Sequence, residues 1–268
     1  MKQMDLGRQT ARSERVMATL MIAPVVLLLE ALIDFPRAAL SFHLLALLIF
    51  CLALGGPLLT AIQVLTGARW LRQLRPHTSQ LMRLCPVAGA LFFIALLLST
   101  GYYPDGSHLP NGAFRDAWLS QSLILLRGAL FISLWNLITY HLRHSVESTP
   151  QSAGAKYSRK TTRLAVAFLL VFGATWWLAC VDWLMALSPG WYSSIFWMYW
   201  FGGTLLGGVA LVALLTLLRP TRPVEPEASR RIHHDLGKML FGLSCFWAYL
   251  WFSQFMLIWY ANLPVETS

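Results

Sequence analysis

The stretch FHLLALLIFCLALGGPLLTAIQVLT, from Phe42 to Thr66, decides the fold class of this chain. It contains no Asp, Glu, Lys or Arg. A helix needs about 20 apolar residues to cross a bilayer core of about 30 Å, and this run exceeds that length. Lipid offers no hydrogen-bond partners, so a spanning segment must satisfy its own backbone groups, as an α-helix does. The stretch therefore predicts a transmembrane helix.

Comparable apolar runs lie on both sides of this stretch, separated by short polar segments. They predict seven transmembrane helices: Val16–Ile33, Phe42–Thr66, Pro86–Thr100, Leu119–Tyr140, Leu164–Leu187, Tyr192–Leu218 and Leu236–Ala261. The first run follows a mostly polar segment and lacks a small-residue cleavage pattern, so we interpret it as a helix and not as a signal peptide. The predicted fold is an all-α, polytopic transmembrane helix bundle. Residues 1–15 form an N-terminal tail, 16–261 the helical domain and 262–268 a short C-terminal tail.

The overall composition agrees with a membrane protein. The 268 residues are 57% hydrophobic and only 12% charged, with a mean hydropathy of +0.56. Soluble domains carry about 25% charged residues. The net charge of +9 resides in clusters that flank the apolar runs, not in one basic face, which argues against nucleic acid as a partner.

The basic clusters also predict an orientation. Most of the 21 lysines and arginines lie in the N-terminal tail and in alternate loops, whereas the opposite loops carry only Arg37 and Arg115. Cytoplasmic loops are enriched in these residues, so the N-terminus is predicted to be cytoplasmic and the C-terminus periplasmic. Aromatic residues predicted at the outer interface are Tyr102, Tyr103, Trp118, Trp183, Trp191, Tyr192, Trp259 and Tyr260.

Three ionisable residues fall inside predicted spans: Glu30, Arg127 and Asp182. Charges in a membrane are costly and need partners or water. Arg127 and Asp182 lie at similar depth on consecutive antiparallel helices, so we expect them to pair. The pair is either part of a proton path or quinol site, or a structural link that fixes helix register. Glu30 is either a third member of such a path or part of a surface cluster with Asp34, Arg37 and His43.

The remaining candidate is Gln254, which lies with Ser253 among the aromatic residues of the last predicted helix. Flat apolar walls with a few hydrogen-bonding groups suit a quinone, although lipid and helix packing also explain them. No histidine lies in the middle of a predicted span, so bis-histidine haem is not expected. The four cysteines lack metal or cluster spacing, and no metal site is predicted.

Two glycine-rich segments are expected to shape the bundle. Gly55-Gly56-Pro57 should kink its helix, because proline removes a backbone donor. The segment Gly202–Gly208 places small residues four apart, which permits close helix contact. That contact is either within the chain or with a partner subunit.

Two motif blocks go beyond composition. The first is DWLMALSPGWYSSIF, from Asp182 to Phe196, and the second runs from HDLGKMLF at His234 through FWAY to FSQFMLIWYANLP, ending at Pro264. In order and spacing they resemble the ActF-type, NrfD-like membrane subunit 2 of alternative complex III, a bacterial quinol:cytochrome c oxidoreductase. The chain departs from that family at Ser188, Gly190 and Val265, where charged residues or a histidine are frequent, and it lacks the family's further C-terminal helices.

The resemblance implies a subunit of a respiratory complex in the bacterial inner (cytoplasmic) membrane. It implies no covalently bound cofactor, a quinol or menaquinol as ligand, and a role in scaffolding the membrane arm. The implied partners are iron–sulfur and multihaem cytochrome c subunits, a second NrfD-like subunit and membrane lipid. Asp182 and Gln254 match the motifs, whereas Arg127 and Glu30 come from the residues alone. A small-solute or ion transporter and a purely structural membrane scaffold stay open as alternatives.

Overall fold

Six long helices form the chain in the computed structural model, which describes residues 26, 30–68, 73–103, 118–150, 156–188, 191, 193–218 and 226–261. They are α1 (Phe35–Thr66), α2 (Arg75–Leu98), α3 (Gln121–Glu147), α4 (Arg159–Trp183), α5 (Phe196–Leu218) and α6 (Pro226–Ala261). Short 3-10 turns follow α2 and α4 at Thr100–Tyr102 and Met185–Leu187. All six helices are long and apolar enough to cross a membrane. The chain is a multi-pass α-helical membrane protein.

The predicted spans mark the apolar centres of the helices but not their ends. The helix α1 begins at Phe35, capped by the Asp34 carboxylate, which accepts a hydrogen bond from Arg37 N at 3.1 Å. The helix α3 continues past Tyr140 to Glu147, and α6 begins at Pro226, well before the predicted start. Hydropathy marks only the hydrocarbon core, whereas helices extend into the headgroup region and beyond. The predicted span Val16–Ile33 lies outside the described residues except for 26 and 30–33, which are helical.

The helix α1 is the centre of the bundle. It contacts α2, α4 and α5. Of the residues in its most apolar 18-residue stretch, 72% are buried, whereas only 6% are buried in the corresponding stretch of α6. The helix α6 packs mainly on α5 and leaves a broad aromatic surface exposed. Its exposed aromatic residues are Phe241, Phe246, Tyr249, Trp251, Phe252, Phe255, Trp259 and Tyr260.

The glycine-rich segments are sites of close packing within the chain. A Cβ on Gly55 would lie 2.4 Å from the Gly208 Cα, and a Cβ on Gly56 would lie 2.7 Å from the Leu81 Cβ. The helix α1 is therefore able to approach α5 and α2 at almost backbone contact. The helix α1 continues without a break on both sides of Pro57, where a kink is expected. Among the described residues, the glycines of the Gly202–Gly208 segment face α1 and α6.

The two ends of the bundle differ in chemistry. The arginine-rich end carries Arg75, Arg83, Arg159 and Arg163, and it is the predicted cytoplasmic end. The opposite end carries Asp182, so we refer to it as the Asp182 end. Consecutive helices run in opposite directions between these two ends. The helices α1, α3 and α5 therefore all run from the Asp182 end to the arginine-rich end.

At the arginine-rich end, Arg75 caps the last turn of α3. Its Nη1 donates to the Thr149 carbonyl at 2.6 Å, and its Nη2 donates to the Val146 carbonyl. The last carbonyls of a helix have no partner within the helix, and a cation there also opposes the helix dipole. Arg75 thus joins the start of α2 to the end of α3.

Replacing this cap is expected to loosen the end of α3. A hydrogen bond to a charged group contributes about 1.5–3 kcal/mol. In Arg75→Gln we therefore expect amide hydrogen exchange over the last turn of α3 to accelerate by about tenfold or more. The matched control is Arg231→Gln, because the Arg231–Glu227 pair is 80% and 81% exposed. Unchanged exchange in Arg75→Gln would show that the cap is not stabilising.

Candidate polar site at the Asp182 end

The predicted pair of Arg127 and Asp182 is formed, and it is buried. Arg127 Nε donates to Asp182 Oδ2 at 2.7 Å, and Nη2 donates to Oδ1 at 3.0 Å. The Asp182 side chain is fully buried, and that of Arg127 is 13% exposed. The two parallel hydrogen bonds fix the guanidinium against the carboxylate in a single geometry. The pair therefore links α3 to α4.

Trp118 completes the environment of the guanidinium. Its carbonyl accepts a hydrogen bond from Arg127 Nη2 at 2.8 Å, and its indole ring centroid lies 4.3 Å from Arg127 Cζ. A cation over an indole face is stabilised by the ring quadrupole. Arg127 is thus held by a carboxylate, a carbonyl and an aromatic face. Trp118, which is predicted at the outer interface, is half-buried and adds this contact with a buried charge.

His43 lies in the bundle interior, and its predicted alternative place in a surface cluster with Glu30 is wrong. The ring is fully buried, with Nε2 3.1 Å from the Trp183 carbonyl and Nδ1 2.9 Å from Ser99 Oγ. It also meets Phe92 edge to face. Because α1 begins at Phe35, His43 lies two turns inside the helix, on the face that packs on α2 and α4. The predicted span begins at Phe42, seven residues after the observed start of α1, and so it puts His43 at the edge of the span.

Tyr103 and Trp183 add two buried donors to this end. Tyr103 is 4% exposed and Trp183 is 2% exposed, so neither belongs to the predicted interface belt. Within the described part of the chain, Tyr103 Oη and Trp183 Nε1 have no hydrogen-bond partner. Burial raises the pKa of the Tyr103 phenol, and the negative charge of Asp182 raises it further. The phenol therefore keeps its proton, and both groups are able to donate to a water molecule or a ligand oxygen.

Glu30 lies apart from this cluster. Its carboxylate is 3.3 Å from Arg37 Nε, and the Arg37 side chain is 77% exposed. The Asp34 N–H donates to the Glu30 carbonyl at 2.8 Å. Glu30, Asp34 and Arg37 thus form a surface group at the start of α1. No contact between Glu30 and Asp182 is found among the described residues.

Gln254 belongs to a second polar contact, between α6 and the segment that precedes α5. The Ser193 hydroxyl donates to Gln254 Oε1, and Ser193 Oγ accepts from Ile195 N at 3.3 Å. Since Ser193 belongs to the first motif block and Gln254 to the second, this hydrogen bond joins the two blocks in space. The aromatic pairs of this segment and of α5 and α6 are Trp191–Phe196 at 5.1 Å, Tyr199–Trp247 at 5.2 Å and Trp251–Phe255 at 6.3 Å.

The four predicted site residues therefore occupy three separate places. Arg127 and Asp182 share one buried ion pair, Gln254 joins Ser193, and Glu30 pairs with Arg37 at the surface. Sequence reasoning missed His43, Ser99 and Tyr103. A histidine inside an apolar run, nine residues after the helix-capping Asp34, is the one signal that pointed to them.

No group of three or more His, Cys, Asp or Glu residues able to hold a metal ion occurs in the described ranges. Cys51, Cys85 and Cys180 are buried with free thiols, and Cys245 is exposed. Neither a scan of protein-family models nor a search of curated proteins finds a match to this chain.

Proposed function

We propose that the chain is an integral membrane subunit of a respiratory quinol:electron-acceptor oxidoreductase of the alternative complex III type, in the bacterial cytoplasmic membrane. Its role there is to scaffold the membrane arm and to line a quinol site. The observation that carries the proposal is the hydrogen bond between Ser193 and Gln254. It brings together the two motif blocks on which the family resemblance rests, although they are far apart in the sequence.

The surroundings of Gln254 suit a flat ring that carries two oxygens. Because Ser193 donates to Oε1, the Nε2 amide group stays able to donate to a ligand oxygen. Two aromatic pairs of α5 and α6, Tyr199–Trp247 and Trp251–Phe255, would supply the apolar rings that the proposed site needs. In the proposed role, quinol bound here passes its electrons to redox centres of partner subunits and its protons to water at the membrane surface. This chain supplies binding and orientation only.

The exposed aromatic surface of α6 supports a place within a larger complex. Only 6% of the residues in its most apolar 18-residue stretch are buried, so the surface of α6 is open to a neighbouring helix as well as to lipid. Trp251, Phe255 and Trp259 are 50–62% exposed on this helix. Aromatic residues are enriched in protein interfaces, where their large apolar area is buried at low entropy cost. A second NrfD-like subunit would cover this surface in the proposed complex.

A purely structural scaffold is the second candidate, and the Arg127–Asp182 pair favours it. The carboxylate has both oxygens engaged by Arg127, and the guanidinium is further held by Trp118. A closed pair of this kind fixes helix packing, and its two charges already balance each other. In this second role the chain holds the complex together without binding quinol.

Gln254→Ala separates the two candidates. If the amide binds a quinol oxygen, its loss is expected to lower kcat/KM for quinol by about tenfold, the effect of one hydrogen bond. The matched control is Gln80→Ala, because Gln80 lies at the arginine-rich end. Both variants are assayed in membranes, per amount of assembled complex recovered with the tagged chain. Unaltered quinol oxidation in an assembled Gln254→Ala complex would reject the quinol site and leave the scaffold.

A further inference from the structure

A groove of about 490 Å³ runs along the outer surface of α4 at the arginine-rich end. Its polar lining consists of Tyr157, Arg159, Thr162 and Arg163, and its apolar lining of Val166, Ala167 and Leu170. We propose that this groove binds an anionic phospholipid, with the headgroup phosphate at the two arginines and one acyl chain along the apolar part. The site is independent of the proposed quinol chemistry.

The order of the lining residues along α4 matches the order of groups in a lipid. Arg159, Arg163, Val166 and Leu170 are spaced three or four apart and so share one face of the helix. From Arg159 to Leu170 the helix rises about 16 Å, close to half of a bilayer core of about 30 Å. The charged residues therefore lie at headgroup depth when the apolar ones lie at acyl depth. Val166 is 39% exposed and Leu170 is 69% exposed, so both are open to a lipid chain.

The charge of the groove selects an anion. Neither Arg159 nor Arg163 forms an ion pair with a carboxylate in the part of the chain that the structure describes. The nearby Glu147 is engaged by Arg83 at 2.9 Å and by Arg143 at 3.8 Å. Residues 151–155, which precede the groove, contain no acidic residue, and Lys156 and Lys160 add positive charge. Two arginines that carry no carboxylate partner favour a phosphate group.

One wall of the groove is fixed before any lipid binds. The Tyr157 hydroxyl accepts a hydrogen bond from Gln63 Nε2 at 2.9 Å, and Gln63 is 2% exposed in α1. The ring of Tyr157 is thus anchored to the centre of the bundle. A tyrosine ring at this depth suits the headgroup region, where one end of the residue is apolar and the other polar. The polar end of the groove therefore has one side chain that is held in place.

The test compares lipid retention by native mass spectrometry of the full chain, released from nanodiscs of mixed phosphatidylglycerol and phosphatidylcholine. Each basic residue near an anionic headgroup contributes a factor of about five in affinity. Arg159→Gln with Arg163→Gln is therefore expected to reduce the preference for phosphatidylglycerol by about 25-fold. The control, Arg230→Gln with Arg231→Gln, removes the same charge from the start of α6 and is expected to keep the preference.

A second variant tests the acyl part of the groove. Ala167→Trp fills the groove and leaves both arginines in place, so bound phosphatidylglycerol is expected to be lost here too. An unchanged preference in either groove variant overturns the proposal. An equal loss in the Arg230 and Arg231 control also overturns it, since the effect would then be one of net charge. Displacement of the lipid by inorganic phosphate at millimolar concentration would overturn it in favour of a free-phosphate site.

Discussion

Gly208→Ala is expected to destabilise the bundle strongly, although it adds only one methyl group. The new Cβ would lie 2.6 Å from the Gly55 Cα, a backbone atom in the middle of α1. Neither atom is the end of a flexible side chain, so α1 and α5 must move apart. Overpacking a close contact costs about 1–3 kcal/mol. We expect the midpoint of unfolding by SDS in mixed micelles to fall clearly below that of the native chain.

The matched control is Gly242→Ala on α6. A Cβ at Gly242 meets no other atom within 4 Å. Alanine is the better helix former, so this variant is expected to unfold at the same SDS fraction as the native chain or at a slightly higher one. If Gly208→Ala and Gly242→Ala unfold at the same SDS fraction, the close crossing of α1 and α5 at Gly55 and Gly208 is contradicted.

Asp182→Asn is the second change with a large expected effect. It leaves the Arg127 guanidinium buried without its counter-charge, and breaking a buried pair in this way costs about 3–5 kcal/mol. Arg127→Gln is expected to have a similar cost, because it leaves the fully buried Asp182 carboxylate unpaired. The double variant removes both charges, so it should be less destabilised than the sum of the two single variants.

A double-mutant cycle on the SDS unfolding curves measures this coupling. For Arg127 and Asp182 we expect a coupling energy of about 1–3 kcal/mol. The control cycle uses Glu227→Gln and Arg231→Gln, whose ion pair is at 3.7 Å and about 80% exposed. An exposed helix pair is expected to couple by about 0.5 kcal/mol or less. Additive effects at Arg127 and Asp182 would mean that the ion pair does not link α3 and α4.

The pairing of Arg127 with Asp182 was predictable because two opposite charges at equal depth in a membrane have few other partners. The same reasoning could not find His43, whose depth depends on where α1 begins. That start is set by the local cap of Asp34 on Arg37 N, a feature that hydropathy does not detect. Tyr103 and Trp183 were misplaced for a related reason, since an aromatic residue near a helix end faces either lipid or the core.

Helix pairing could not be derived from the sequence either. The segment Gly202–Gly208 predicts close packing but not the helix that it packs against. In the structure Gly208 packs against Gly55 of α1, and Gly202 packs against Leu250 of α6. The hydrogen bond from Ser193 to Gln254 likewise depends on α5 and α6 being neighbours. By contrast, the helical fold class and the centres of six spans follow from the lengths of the apolar runs alone.

The central claim, a place in a quinol-oxidising respiratory complex, is tested most directly by purifying the tagged chain from its own membranes in mild detergent. Mass spectrometry and an optical spectrum then identify what is bound to it. We predict iron–sulfur and multihaem cytochrome c subunits in fixed ratio, with a haem spectrum that quinol reduces. A colourless chain that is recovered alone, or with transport proteins only, would contradict the claim.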